Sequence, residues 1–460
     1  MFKRLLIANR GEIGMRILRC CQEMGIETVV AYSSEDAGTL PVTFSPVSVC
    51  IGPASPTKSY LNQDALIQAA ISYKCDAIHP GYGFLSENPD FAKKCEDAGI
   101  KFIGPSSEMI RNMGEKSTAR SLMKSKGVPV VPGSDGLVNS LEEAKEIALK
   151  IGFPILIKAS AGGGGRGMRR AYDMSELANA FESAKAEALS AFGDDSMYIE
   201  KLILNPHHVE FQIIGDEHGH IVSLGERDCS MQRRNQKLIE EAPASILNEK
   251  QRAAMQKAAI KAAMAVNYSS VGTVEFVVDH DKNFYFIEMN TRIQVEHPVT
   301  EMVTGVDLVK EQIRVAAGLP LSFKQSDIKT HGYAIECRIN AENPEKDFAP
   351  NPGKIDFLHL PGGAGVRVES AMYSGAMVSP WYDSMIAKVI VNAPSRLEAI
   401  RKMRVALEEL TCEGIDTNID FLYLLMYNPE YIMGRIDTSF LEKNCEGIIK
   451  WGKESRKEAQ

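Results

Sequence analysis

Four consecutive glycines at positions 162–165, set between two strand-like stretches, constrain this chain more than any other feature. Residues 161–167 read AGGGGRG. They follow the apolar run 154–160 (PILIKAS), and strand-like sequence resumes at 167–171. The run matches GxGxxG through Gly162, Gly164 and Gly167, but Met168 stands where a Walker loop needs Lys followed by Ser or Thr. Both familiar phosphate loops open into a helix, whereas this one opens into a strand. A glycine loop between strands suits a flap whose backbone N–H groups fold over phosphates from above. Four glycines carry a large ordering cost that a plain turn does not require. Lys158 sits inside the apolar strand, where an ammonium calls for a facing anion.

The sequence around this flap divides into regions. Strand patterns at 3–8, 27–32, 77–79 and 101–104 alternate with helical ones at 14–24, 61–72 and 91–98, which predicts a parallel sheet with crossover helices. The stretch through Pro41 and Pro46 reads as a loop. Gly11 and Gly14 make no GxGxxG, so the first strand carries no dinucleotide fingerprint. A second region begins near Gly114. Ser140 and Glu143 form a capping box for a helix that Gly152 and Pro154 end. Further helices are expected at 175–189 and 250–266, and strands at 209–214 and 272–279. From His331, short strands and Pro/Gly turns predict an antiparallel α+β unit covered by helices at 396–410 and 418–427. The tail beyond 450 is expected to fray. The predicted division is 1–113, 114–330, 331–446 and a tail, 447–460.

Composition narrows the function. Lys and Arg number 52 against 60 Asp and Glu, a formal charge of −8, which argues against nucleic-acid or anionic-membrane binding. No apolar run reaches the roughly 18 residues of a membrane span, and the first apolar stretch is too short for a signal peptide. Nine cysteines without a CxxC pair predict reduced thiols and a cytoplasmic protein.

The sharpest chemical signal is a hairpin. Runs 272–279 (GTVEFVVD) and 284–290 (FYFIEMN) are joined by HDKN, and pairing Asp279 with Phe284 sets Glu275 directly opposite Glu288. Opposed carboxylates among Val, Phe and Ile are unfavourable twice over, and a divalent cation relieves both problems. Oxygen ligands without Cys or His favour Mg²⁺ or Mn²⁺. Strand alternation puts Glu288, Asn290 and Arg292 on one face, in order for metal, metal and anion. Beside such a site the basic run 227–237, with Gln232, Arg233, Arg234 and Lys237, reads as a small-anion pocket.

These residues stand in long motifs: 6–14 (LIANRGEIG), 79–88 (HPGYGFLSEN), 158–168 (KASAGGGGRGM), 226–234 (ERDCSMQRR), 286–300 (FIEMNTRIQVEHPVT), 336–340 (ECRIN) and 382–385 (YDSM). With them the chain resembles, over about residues 1–445, the biotin carboxylase component of biotin-dependent carboxylases. The resemblance implies an α/β and α+β multi-domain fold. Its parts are an N-terminal parallel-sheet (pre-ATP-grasp) domain, an ATP-grasp domain with a mobile glycine-rich lid at about 131–203, and a C-terminal antiparallel α+β domain.

The resemblance also implies roles. Lys116, Lys158, Gly164 and Gly165 would bind ATP phosphates. Glu200, Lys201, Leu202 and Ile203 would form the adenine hinge, Glu200 accepting from the adenine amino group. His208, Gln232 and Asn235 would line the nucleotide pocket. Glu275, Glu288 and Asn290 would hold Mg²⁺ or Mn²⁺. Lys237, Arg292, Gln294 and Val295 would hold bicarbonate, with Glu296 as its base, and Arg338 would stabilise the biotin enolate.

Three departures from the family pattern stand out: Asn235 in place of a usual histidine, Ser45-Pro46-Val47 in place of Ala-Asp-Glu, and Ala364 where some members carry a phenylalanine at a dimer contact. No Ala/Val-Met-Lys-Met biotin-attachment sequence occurs. The expectation is therefore a component that works on a separate biotin carboxyl carrier protein, with a separate carboxyltransferase subunit; the resemblance implies a homodimer. It is expected to serve acetyl-CoA carboxylase, the alternatives being pyruvate or propionyl-CoA carboxylase. Two rivals are another ATP-grasp ligase, such as a carbamoyl-phosphate-forming enzyme, and a catalytically silent nucleotide-binding partner.

Overall fold

The computed structural model describes residues 1–160 and 167–458, without the side chains of Lys116, Ser117 and 455–458. The N-terminal strands form a five-stranded parallel sheet in the order Val47–Gly52, Glu27–Ser33, Arg4–Ile7, Ala77–His79, Lys101–Phe102. Leu5, Leu6 and Ile7 are fully buried, as a central parallel strand covered on both faces requires. The strand Val47–Gly52 lies where a loop was expected. Its apolar residues follow Pro46 directly, and pairing with Glu27–Ser33 overrides the proline signal. The first helix spans Gly11–Glu23, starting earlier than the glycines suggested.

The middle of the chain builds two antiparallel sheets. In a three-stranded one Ile155–Ala159 lies between Met168–Ala171 and Met197–Lys201 and pairs with both, and helices Leu141–Ile151 and Met174–Phe192 pack on it. Ser140 Oγ accepts from Glu143 N at 3.2 Å, and Glu143 reaches back to the N–H of Asn139 at 2.9 Å, one residue before the reciprocal bond of a capping box. The glycines 162–165 lie outside the described residues.

The larger sheet has eight strands, in the order Phe284–Asn290, Ser270–Val278, His207–Gly215, Ile221–Arg233, Gln236–Ala242, Tyr333–Asn340, Met385–Ala393, Val366–Ser370. It crosses residue 330, since Gln236–Ala242 pairs with Tyr333–Asn340. Helices Arg396–Glu409, Ile419–Leu425 and Phe440–Glu458 cover its C-terminal half. The last of these continues through the tail that was expected to fray. Among the described residues no helix is long and apolar enough to cross a membrane.

Candidate active site

The two antiparallel sheets and the loops after the first and fourth parallel strands enclose a cavity of about 1580 Å³. The glutamate hairpin forms one wall. Glu275 stands opposite Glu288, as expected, though by a different route. Val278, not Asp279, pairs with Phe284, and a bulge between Glu275 and Phe276 restores the register by one residue. Both carboxyls line the cavity, Glu275 buried and Glu288 half-buried.

Glu275 Oε1 accepts from Asn290 Nδ2 and from Gln294 Nε2, both at 2.8 Å, and His208 Nε2 lies 3.0 Å from Glu275 Oε2. Burial works against ionisation, but Lys237 and His208 outweigh it and hold this carboxyl well below the usual glutamate value. An ionised carboxylate beside a second one on the same cavity wall is a fitting donor set for a hard divalent cation. A histidine does stand at the site, contrary to the all-oxygen expectation, yet it acts as partner to the carboxylate.

Next along this face, Arg292 Nη2 donates to Asn290 Oδ1 at 3.3 Å and Arg292 Nε to Glu87 Oε2 at 2.8 Å. Beyond it lies a buried charge cluster. Lys237 Nζ donates to Glu210 Oε2 at 2.7 Å and to Glu296 Oε1 at 2.6 Å, and lies 3.4 Å from Glu275 Oε1. The other oxygen of Glu296 accepts from Arg338 Nη2 at 2.9 Å. Burial would raise Glu296, but Lys237 and Arg338 prevail and hold it well below the ordinary carboxylate range. The Val295 carbonyl accepts from Lys388 Nζ at 2.7 Å.

Under this cluster lies Arg227, fully buried, its five N–H groups matched by five side-chain acceptors. Nε donates to Glu210 Oε1 at 2.6 Å, and Nη1 to Gln212 Oε1 at 2.7 Å and Thr300 Oγ1 at 2.9 Å. Nη2 donates to Thr273 Oγ1 at 3.1 Å and Gln294 Oε1 at 2.9 Å.

Away from this cluster, Lys158, Glu200, Lys201, Leu202 and Ile203 line the cavity, as do Asn235, Gln232, the strand partner of Lys237, and His208 beside Glu275. The Glu200 carboxylate differs from expectation: Lys158 Nζ holds one oxygen, and Arg120 Nε lies 3.3 Å from the other. Leu156 pairs with Glu200 and Lys158 with Tyr198, so Lys158 and Glu200 meet diagonally on one face. The side chain that was to accept from adenine is thus directed to the lysine. The Lys201 ammonium turns away to the carbonyls of Gly152 and Phe153. Gly164 and Gly165 are outside the described residues, as is the Lys116 side chain.

The basic run is corrected as well. Arg233 and Arg234 bind Asp347 instead of entering the cavity, because they occupy the turn between strands Ile221–Arg233 and Gln236–Ala242. Only Gln232 and Lys237 of the expected pocket remain. Residues that the sequence reading passed over are Glu87, Glu210, Arg227 and Glu240. A charged residue inside a strand, as Glu210 in VEFQI, is the signal that marks the last three, while Glu87 lies in a turn.

Two sheets gripping a cavity, with opposed carboxylates on one wall and a lysine on the other, define an ATP-grasp enzyme. Three family profiles match: "Biotin carboxylase, N-terminal domain" over 1–110, "Carbamoyl-phosphate synthase L chain, ATP binding domain" over 115–324, and "Biotin carboxylase C-terminal domain" over 336–443. Biotin carboxylase 1 of Bacillus subtilis is 53% identical, over 96% of this chain and 98% of its own.

Among solved structures, the biotin carboxylase domain dimer of Hydrogenobacter thermophilus 2-oxoglutarate carboxylase, in complex with MgADP, ADP and bicarbonate, matches with a TM-score of 0.93. Its identity is 49%, over 97% of this chain and 99% of that one. The biotin carboxylase subunit of pyruvate carboxylase matches with a TM-score of 0.85 and 51% identity, over 97% and 99%. The chain belongs to the biotin carboxylase family. It carries the ATP-binding domain and both terminal domains of a biotin carboxylase, an ATP-grasp ligase.

Proposed function

We propose that Lys237, Arg292, Gln294 and Val295 hold bicarbonate and that Glu296 removes its proton. The observation that carries this reading is Glu296 itself, one oxygen on Lys237 and the other on Arg338, ionised at neutral pH and hence in base form. Deprotonated bicarbonate attacks the γ-phosphate of ATP, forming carboxyphosphate with ADP as leaving group. Lys237 and Arg292 offset the charge that builds up in that step. Lys116, Lys158 and the glycines 164–165 would hold the phosphates. The backbone of Lys201 and Leu202, with Ile203, His208, Gln232 and Asn235, would seat the base. Glu275, Glu288 and Asn290 would hold Mg²⁺, which would supply positive charge to offset that of the phosphates. Carboxyphosphate releases CO₂, the freed phosphate takes the N1 proton of biotin, and Arg338 faces the resulting enolate.

The biotin is proposed to arrive on a biotin carboxyl carrier protein, with a carboxyltransferase subunit completing transfer and the chain forming a homodimer. The acceptor proposed is acetyl-CoA. Similar chains of nearly equal identity carry the names of pyruvate and 2-oxoglutarate carboxylases, which keeps pyruvate as an alternative beside propionyl-CoA, the other acceptor proposed. The test is ATP cleavage with bicarbonate, with and without free biotin. Acceleration by biotin supports the assignment, and its absence overturns it in favour of the silent nucleotide-binding partner or another ATP-grasp ligase.

A further inference from the structure

Behind Arg338 lies a carboxyl pair that the proposed reaction does not use. Glu240 and Glu336 stand directly opposite one another on antiparallel strands, and both are fully buried. Ionised together, they would repel across the strands. Glu240 has a cation: Arg338 Nε donates to its Oε1 at 2.6 Å. The other oxygen of Glu240 and both oxygens of Glu336 have no hydrogen-bond partner among the described residues.

The groups facing the pair from neighbouring elements do not supply one. Lys388, buried on the next strand, is in register with Arg338. Its ammonium is taken by the Val295 carbonyl at 2.7 Å and by Glu12 at 3.0 Å. Glu12, from the first helix, is also held by the Tyr82 hydroxyl. Glu296 lies on the far side of Arg338 and adds a carboxylate, not a donor. A carboxyl so enclosed takes up a proton in preference to a bare charge. Burial pushes Glu336 upward; Lys388 opposes this and Glu240 adds to it, leaving it well above the ordinary value.

We propose that Glu240 and Glu336 hold one proton between them, and that this protonated pair positions Arg338 with its charge available to substrate. Glu336 is thereby a positioning residue acting through Glu240 and Arg338, and the proposal rests on the role given to Arg338 above. With both carboxyls ionised, three carboxylates would surround one guanidinium. With one proton on the pair, Glu240 fixes the Nε edge, and Nη1, which bonds to no described residue, is left for an anion in the cavity.

Infrared spectra of the full chain in D₂O at neutral pH test this, comparing wild type with Glu336→Gln. The expected result is loss of one protonated-carboxyl carbonyl band, with biotin-dependent turnover kept within about twofold because glutamine mimics the neutral acid. Raising the pH should remove the band from wild type and lower biotin-dependent turnover in step, while ATP cleavage without biotin holds. An unchanged set of bands in Glu336→Gln overturns the proposal whatever Arg338 does. A rate that stays level as the band vanishes overturns the positioning role. Should Glu336→Gln not fold, Glu240→Gln replaces it. Glu336, two residues from Arg338 on the same strand, then ionises as the carboxylate left to face it and the same band is lost; its persistence overturns the proposal. Failure of the Arg338 assignment itself is read separately, in Arg338→Ala.

Discussion

Arg227 Nη2 donates to Gln294 Oε1 at 2.9 Å, and that bond leaves the Gln294 amide nitrogen to point at Glu275 Oε1, 2.8 Å away. A buried guanidinium thus fixes which end of an amide faces the cavity. The donor end is the one an anion needs. The same guanidinium holds Glu210, whose second oxygen holds Lys237, so one residue orients two members of the proposed bicarbonate site.

Arg227→Lys keeps the charge but has too few donors for five acceptors. Steady-state kinetics on folded protein should show KM for bicarbonate raised about tenfold and KM for ATP changed less than about twofold. Equal losses for both substrates would reduce Arg227 to a purely structural role.

Glu288→Gln removes one of the two opposed charges while Lys237 and His208 keep Glu275 ionised. The magnesium concentration needed for half-maximal ATP cleavage should rise, and kcat should fall by about tenfold or more. An unchanged magnesium titration contradicts the hairpin as the metal site.

Arg338→Ala should abolish biotin carboxylation while ATP binding, read by equilibrium titration, stays within about threefold. Matching losses in both would mean that Arg338 supports the cavity as a whole.

Glu296 has a folded value depressed below its ordinary 4.5, with Lys237 the largest of the groups lowering it against burial. Its ionised form is therefore present at neutral pH and is lost only as pH falls through that depressed value, so its pairing stabilises the fold above the unfolded value and fades below it. Lys237→Met should move the acid limb of the pH–rate profile upward. A limb that stays in place would separate Glu296 from the base role.

Much of this site was legible in the sequence because its key residues are close together along the chain. Glu275 and Glu288 share a hairpin, and Glu288, Asn290 and Arg292 share one face of a strand. The register came out right through two offsetting features, a longer turn and a bulge, neither visible from residue types. Arg227 was not legible, since its acceptors lie 15 to 73 residues away and only the folded sheet gathers them. Arg233 and Arg234 misled because basic residues in a tight turn resemble an anion site until Asp347, 113 residues on from Arg234, is seen to neutralise them. Val47–Gly52 was hidden by a preceding proline, whose local signal yields to pairing on the sheet edge.

Transfer of labelled bicarbonate to free biotin is the most direct measurement of the whole account. Wild type should form acid-labile labelled carboxybiotin only with ATP and magnesium, one ADP appearing for each label transferred, and Glu296→Gln should form almost none. With biotin present, ATP consumed no faster than in its absence and no label reaching biotin, or label transferred without ATP, would contradict the account.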